Sequence, residues 1–201
     1  MVSARDGRTR QDREKTPRRA DAERNIAAIL ASAFDELSTD PAATMTDVAR
    51  AAGVGRVTLY AHFPSRAELL KALVHQALEG TKQILDDSLA DDRPADQVLA
   101  GIIHTSWRLL DRHRRIRRVA LAELGSEWVA DQHDHVFARL TELLSRGRDQ
   151  GIFRSDLPAS WMTTTVYGLL HAAADEVDTG RVSSADAPHL VISSLLPALA
   201  G

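Results

Sequence analysis

Every substantial segment of this chain spaces its apolar residues by threes and fours, and none alternates them by twos. Such spacing gathers one stripe along an α-helix and cannot keep one face of a strand buried. The expected fold class is therefore all-α. The first stripe, Ile26, Ile29, Leu30, Ala33, Phe34 and Leu37, follows Asp21, a good N-cap residue, and stops at Ser38-Thr39-Asp40-Pro41. A long helix opens at Ser65, with Glu68 three residues on as a capping box, and carries Leu69, Leu70, Leu73, Val74, Ala77, Leu78, Ile84, Leu85 and Leu89 to about residue 90. After Pro94 the spacing predicts five more helices, with stripes over residues 98–110, 116–124, 128–144, 161–173 and 190–196, closed at Gly125, Gly151 and Gly180. The expectation is about nine helices without an internal repeat.

Two of these helices are very short. Residues 44–52 read as one, with Thr44 as its cap, Asp47 completing a capping-box pair, and Val48 and Ala49 facing inward. Gly53 supplies a turn. Residues 56–63, Arg-Val-Thr-Leu-Tyr-Ala-His-Phe, form the second, with Leu59 and Phe63 buried and Arg, Thr, Tyr and His left outside. Two short helices joined by a glycine-containing turn make a helix-turn-helix, whose second helix fits the major groove of DNA.

The chain has 201 residues, 44% of them hydrophobic, enough to bury the core of one large domain or two small ones. With no cysteine it has no disulfide framework and no thiolate metal site. No apolar run approaches the ~18 residues of a membrane span. The polar start does not read as a secretory signal, so a soluble, cytoplasmic protein with no membrane partner is expected. A net charge of -3 does not favour nucleic acid, but its distribution does. The first twenty residues hold seven basic side chains (Arg5, Arg8, Arg10, Arg13, Lys15, Arg18 and Arg19) against three acidic ones. Residues 1–20 lack hydrophobic periodicity and read as a disordered basic arm, either a solvated tail or a segment laid on the minor groove or phosphates.

Residues 21–71 resemble the DNA-binding domain of the TetR family of bacterial transcription regulators. Ile29, Leu30, Ala33 and Phe34 match in the first helix, and Thr44, Val48, Ala49, Ala52, Gly53 and Val54 through the second helix and turn. Thr58, Leu59, Tyr60, His62, Phe63, Ser65, Glu68 and Leu69 match beyond the turn. The match covers about a quarter of the chain. The later helices are similar to the family only in number and length, and residues 151–158 look like its usual loop before the eighth helix. Gly55 stands where the family commonly has Ser, Val57 where it often has Gly, and Arg66 where it often has Lys.

Residue type and this resemblance together assign the DNA contacts. Thr44, Thr46, Thr58, Tyr60 and His62 would hydrogen-bond phosphates. Arg56 would grip guanine O6 and N7 or else a phosphate, and Val57 would meet a thymine methyl. Gly55 lets backbone approach phosphate closely, and Lys71 contacts the DNA backbone or is solvated. The resemblance divides the chain into the arm, a DNA-binding domain over residues 21–66, and a ligand-binding and dimerisation domain over residues 67–201.

For that last domain the resemblance implies a small-molecule pocket and a dimer interface. The residues lend some support of their own: six of nine aromatic side chains lie beyond residue 100, several beside polar groups. The candidate pocket set is His104, Trp107, Trp128, Phe137, Trp161, Thr165, Tyr167 and His171. Plain core packing is the competing reading for any single member. The last two helices, with Leu169, Leu170, Ala172, Ala173, Leu190, Val191, Leu195 and Leu196, are the candidate dimer interface, with burial inside the monomer as the alternative.

Two charged clusters carry less. Arg112, His113, Arg114, Arg115, Arg117 and Arg118 read as a solvated helix face rather than a nucleic-acid patch. Asp131 and His135 share a helix face without an evident third ligand, so no metal is expected. An enzyme is disfavoured because the chain lacks Glu-x-x-His, His-Glu-x-x-His, Gly-x-Ser-x-Gly and a P-loop. A bare interaction bundle would not need Arg, Thr, Tyr and His on one exposed short helix. The resemblance implies a homodimeric repressor that binds a palindromic double-stranded DNA operator and is released by an unknown small-molecule effector, with no cofactor.

Overall fold

A computed structural model describes the backbone from Arg8 and the side chains from Asp21 to the end of the chain. Nine helices are found among the described residues: α1 Arg8–Thr39, α2 Met45–Ala51, α3 Arg56–His62, α4 Arg66–Leu89, α5 Ala95–Leu124, α6 Ser126–Asp131, α7 Asp134–Asp149, α8 Ala159–Asp178 and α9 Ala187–Leu199. The only β pairing among them is an isolated antiparallel bridge between Phe153 and Ala200. The fold is all-α. The chain forms two compact units, and the division falls between Leu73 and Val74, inside α4.

The first unit packs α1, α2, α3 and the start of α4 around Ile29, Ala33, Leu37, Val48, Ala49, Leu59, Leu69 and Leu70, all almost fully buried. Burying a Leu or Ile side chain stabilises by about 1.5–3 kcal/mol, so this small unit rests on few residues. Helix α1 starts at Arg8, well before the expected cap at Asp21. Asp21 lies inside the helix with its carboxylate on Arg24. Arg, Gln, Glu, Lys and Ala in residues 8–20 are good helix formers that leave no apolar stripe to read. Of the expected disordered arm, residues 1–7 lie outside the described residues, and residues 8–20 belong to α1.

The second unit buries Leu99, Ile103, Leu143, Leu144, Met162, Val166, Val191 and Leu195 between α5, α7, α8 and α9. Two expected helices, at 98–110 and 116–124, are one continuous α5. Arginine sustains a helix even where the apolar stripe thins, and residues 111–115 contain no Gly or Pro to stop it. The single helix expected from Ser126 is in turn split into α6 and α7. At the break the His133 ring donates Nδ1–H to the Val129 carbonyl at 2.7 Å, while the His133 backbone N–H turns to Ala130 O at 2.9 Å. The side chain takes the acceptor that the helix ladder would have used, so the ladder ends there. The total of nine is thus reached with one join and one split that the sequence spacing does not give.

Two local features fix this bundle. The first N–H of α5 is capped from a distance, Ala95 N donating to Gln150 Oε1 at 3.0 Å. Buried Gly147 on α7 lets the Phe153 ring lie against the helix backbone, with Ala95 alongside.

Candidate functional site

The first candidate site is the outer face of α3. Gly53, at φ +66, makes the turn that brings α3 back onto α2, with Val54 N donating to Ala49 O at 3.0 Å. A side chain there would be strained, since positive φ suits glycine. Leu59 is 0% exposed and Phe63 8%, so the inward edge of α3 is anchored. Outward, Val57 is 87% exposed and Tyr60 40%, and Arg56 is also exposed. Thr58 and His62 are half-buried on the flanks. Gly55 precedes α3 in extended conformation and gives no side-chain cap, so the N–H groups of the first turn have no side-chain acceptor.

Helix α2 begins at the same face. Thr44 and Asp47 form a full capping box: Asp47 N donates to Thr44 Oγ1 at 3.3 Å, and Thr44 N donates to Asp47 Oδ2 at 3.0 Å. The Thr44 hydroxyl also donates to Asp47 Oδ2, at 2.6 Å. These bonds, with Arg50 beside them, hold the Asp47 carboxyl below its ordinary range, so it stays ionised. A carboxylate only accepts, so the single hydroxyl proton of Thr44 belongs to Asp47. The phosphate-donor role expected of Thr44 is therefore taken by capping, whereas Thr46 stands exposed on the first turn. Arg66 reaches back from α4 to the carbonyls of Pro41 and Ala43, tying down the loop that leads into Thr44. Lys71 is half-buried and paired with Glu68 at 2.8 Å. That pairing draws the Glu68 carboxylate to the side, while Glu68 N still receives its cap from Ser65 Oγ at 3.2 Å.

The second candidate site is a cavity of about 130 Å³ within residues 74–201. Its apolar wall includes Val74, Leu78, Leu109, Leu110, Val129 and Leu170, and its polar wall His113, Arg117, His133, Tyr167 and His171. The Tyr167 ring centroid is 4.2 Å from that of His171 and 5.1 Å from that of His133, both edge-on. Burial pushes His171 down to about 3, helped by the nearby Arg117 charge and His133, and burial likewise lowers His133 and His113. All three imidazoles are neutral at pH 7.

Of the eight expected pocket residues, Tyr167 and His171 line this cavity. Phe137 stands behind them, its ring 5.0 Å from Tyr167. Trp128 packs edge-on against His75 at 6.0 Å. Trp107 is buried elsewhere, donating Nε1–H to Ser184 O at 2.9 Å. Thr165 donates its hydroxyl to Trp161 O at 2.9 Å. His104 and Trp161 face outward, Trp161 being 59% exposed. An i, i+4 aromatic-polar pair marks a shared face, but it does not say whether that face meets a cavity, the core or water.

The basic run also divides. Arg112, Arg115 and Arg118 are exposed, whereas His113, Arg114 and Arg117 turn inward. Arg114 Nε meets Asp178 at 2.9 Å and Asp111 at 3.3 Å, Arg118 also pairs with Asp178, and Ser184 Oγ donates to Asp111 at 2.7 Å. The expected solvated face is therefore half embedded, which follows from a helix long enough to have two sides. Ser106, Leu109, Leu110, His113 and Arg117 form one i, i+3, i+4 stripe, a signal that the charge run obscures. No cluster of three or more metal-ligating side chains occurs among the described residues, and no helix there is long and apolar enough to cross a membrane.

Comparison with known proteins agrees with the architecture. The profile of bacterial regulatory proteins of the tetR family matches residues 29–73, which span α2, α3 and their supports. The HTH-type transcriptional repressor LfrR of Mycolicibacterium smegmatis is 25% identical over 182 residues, covering 88% of this chain and 89% of its own. The HTH-type transcriptional regulator NfxB of Pseudomonas aeruginosa is 24% identical over 180 residues, covering 83% and 88%. The crystal structure of LfrR in complex with proflavine superposes with a TM-score of 0.68 over 86% of this chain and 94% of that one, at 24% identity. The complex of SmeT with triclosan gives 0.74 over 88% and 92%, at 18% identity. Together with the anchored, outward-facing α3, these matches show that residues 29–73 form the DNA-binding helix-turn-helix domain of the bacterial regulatory proteins of the tetR family, and that the whole chain is similar to DNA-binding transcription regulators.

Proposed function

We propose that this protein is a cytoplasmic, homodimeric repressor that binds a palindromic operator and is released by a small molecule held in the second unit. The exposure of Arg56, Val57 and Tyr60 on an α3 pinned from behind by Leu59 and Phe63 carries the DNA-binding half. Arg56 and Val57 read base edges, and Thr46, Thr58, Tyr60 and His62 fix register on phosphates. Lys71 follows them once DNA phosphate competes with Glu68. The Gly55 N-cap leaves the first N–H groups of α3 open to a phosphate oxygen.

The dimer half rests on α8 and α9. Val191 and Leu195 are spent in the monomer core, but Trp161 and Leu190 are large, apolar and 59% and 47% exposed. Gly168, Ala172, Ser193 and Ser194 beside them are small and exposed, as close helix packing requires. A two-fold dimer would present two α3 helices to the two half-sites of one operator. The effector half is supported by the cavity and by LfrR and SmeT, solved with proflavine and triclosan respectively. Ligand would act by binding the DNA-incompetent state more tightly.

The test is fluorescence anisotropy of the full chain on DNA tiles from upstream of its own and neighbouring genes. One tile should bind tightly, Tyr60→Ala should lose it with the fold intact, and affinity should fall at least about ten-fold between 50 and 200 mM salt. A folded protein that binds no genomic DNA at low salt would falsify this reading, and a monomer at micromolar concentration would remove the dimer.

A further inference from the structure

We infer that the cavity of the second unit selects a ligand carrying an anionic oxygen, a carboxylate or phenolate, on an apolar body, with Arg117 as its charge partner. This deepens the effector reading above and rests on it. The cavity has a strongly apolar wall and no Asp or Glu anywhere in its lining. Its one fixed charge is the Arg117 guanidinium, whose Nε is buried without a hydrogen-bond partner. The carboxylates that the neighbouring arginines of α5 meet are engaged by others: Asp178 holds Arg114 and Arg118, and Asp111 holds Arg114 and the Ser184 hydroxyl. Arg117 is left over, and it lines the cavity.

The histidines do not neutralise it. His113 and His133 donate Nδ1–H to the carbonyls of Leu109 and Val129, so in the neutral ring Nε2 carries no proton. His171, 8% exposed, has its Nδ1 buried and unpartnered. A wall of one guanidinium, neutral imidazoles and a phenol repels a cation and gives it no carboxylate to meet. The same wall offers an anion a charge-assisted bond from Arg117 and further donors in the Tyr167 hydroxyl and a neutral His171 N–H. A half-buried guanidinium left without a counter-charge, its Nε shut off from water, is costly, so an anion entering here regains what the free protein lacks.

Three ligands of one shape separate charge from burial: 1-naphthoate, 1-naphthalenemethanol and 1-naphthylmethylammonium, titrated calorimetrically into the full chain at pH 7.5. Naphthoate should bind at least about ten-fold tighter than the alcohol, and the ammonium should bind weakest. Arg117→Met should abolish that preference and leave alcohol binding in place, with a melting temperature equal to or above wild type because a half-buried charge without a counter-charge is gone. Should Arg117→Met fail to fold, Arg117→Gln, which keeps a donor but no charge, must show the same loss of preference. Equal binding of acid and alcohol, preference for the ammonium, or binding of none of the three overturns the proposal. Naphthoate bound through Arg117 but without effect on the DNA complex keeps the anion site and removes the effector reading.

Discussion

A threonine hydroxyl has one proton to give, and at Thr44 it goes to Asp47. Thr44→Ala should therefore cost the first unit about 1 kcal/mol of stability, the usual loss for an N-cap, and weaken DNA binding only through that loss. Thr46→Ala should leave the melting curve where it is and weaken operator affinity. Thermal melts and anisotropy on the same two variants check both. An unchanged melt with lost affinity for Thr44→Ala would return Thr44 to the phosphates. Sequence spacing could not make this distinction, because capping and phosphate binding ask for the same residue type at a helix start. Spacing did disclose Leu59 and Phe63 as the inward pair of α3, since burial follows phase directly. It also paired Tyr167 with His171, but missed His113 and Arg117 because they sit among five arginines that share no single surface.

At the scale of elements, the short helices were the most legible because their punctuation is chemical: a capping box, a glycine turn, a capping serine. The long ones were less so. Nothing in an apolar period marks the start of α1, where the helix is polar all round, or the break at His133, which is made by a side chain bonding a carbonyl. Gly147 is a further case in which tertiary packing sets the residue. A Cβ there would lie inside the contact distance of the Phe153 ring and 2.9 Å from Ala95 Cβ. Gly147→Ala gains about 1 kcal/mol of helix propensity but overpacks a buried contact by roughly 1–3 kcal/mol, so it should lower the melting temperature. Gly101→Ala on α5 meets only the flexible tip of Arg93, at 4.0 Å, and should leave it unchanged or raise it. If the two variants melt alike, Phe153 is not held against α7.

For the molecule as a whole, three neutral histidines in one cavity make stability depend on pH with a definite sign. The unfolded chain takes up a proton at each imidazole near the ordinary value of 6.5, while folded His171 refuses it down to about 3, because of burial, Arg117 and His133. His133 is lowered by burial and Arg117, and His113 by burial and Arg112. The unfolded state thus binds more protons, and stability, complete above pH 6.5, falls as pH drops from 6.5 toward 3. Between pH 7.5 and 5.5 His171 alone should cost about 1.4 kcal/mol, read as a lower urea midpoint, and His171→Leu should flatten the slope. A wild-type midpoint that does not move across this range would mean the imidazoles are solvated.

The division between the units lies within an unbroken helix, at Leu73 and Val74 of α4. Leu69, Leu70 and Leu73 serve the core on one side of it, and Val74 and Leu78 serve packing on the other. Over evolutionary time this makes α4 intolerant of length change. A single inserted codon within either set would turn its later members about 100° away from the earlier ones and strand part of the set in water. Drift in this lineage should then appear as insertions and deletions at the turn around residues 91–94, and as substitutions alone along α4.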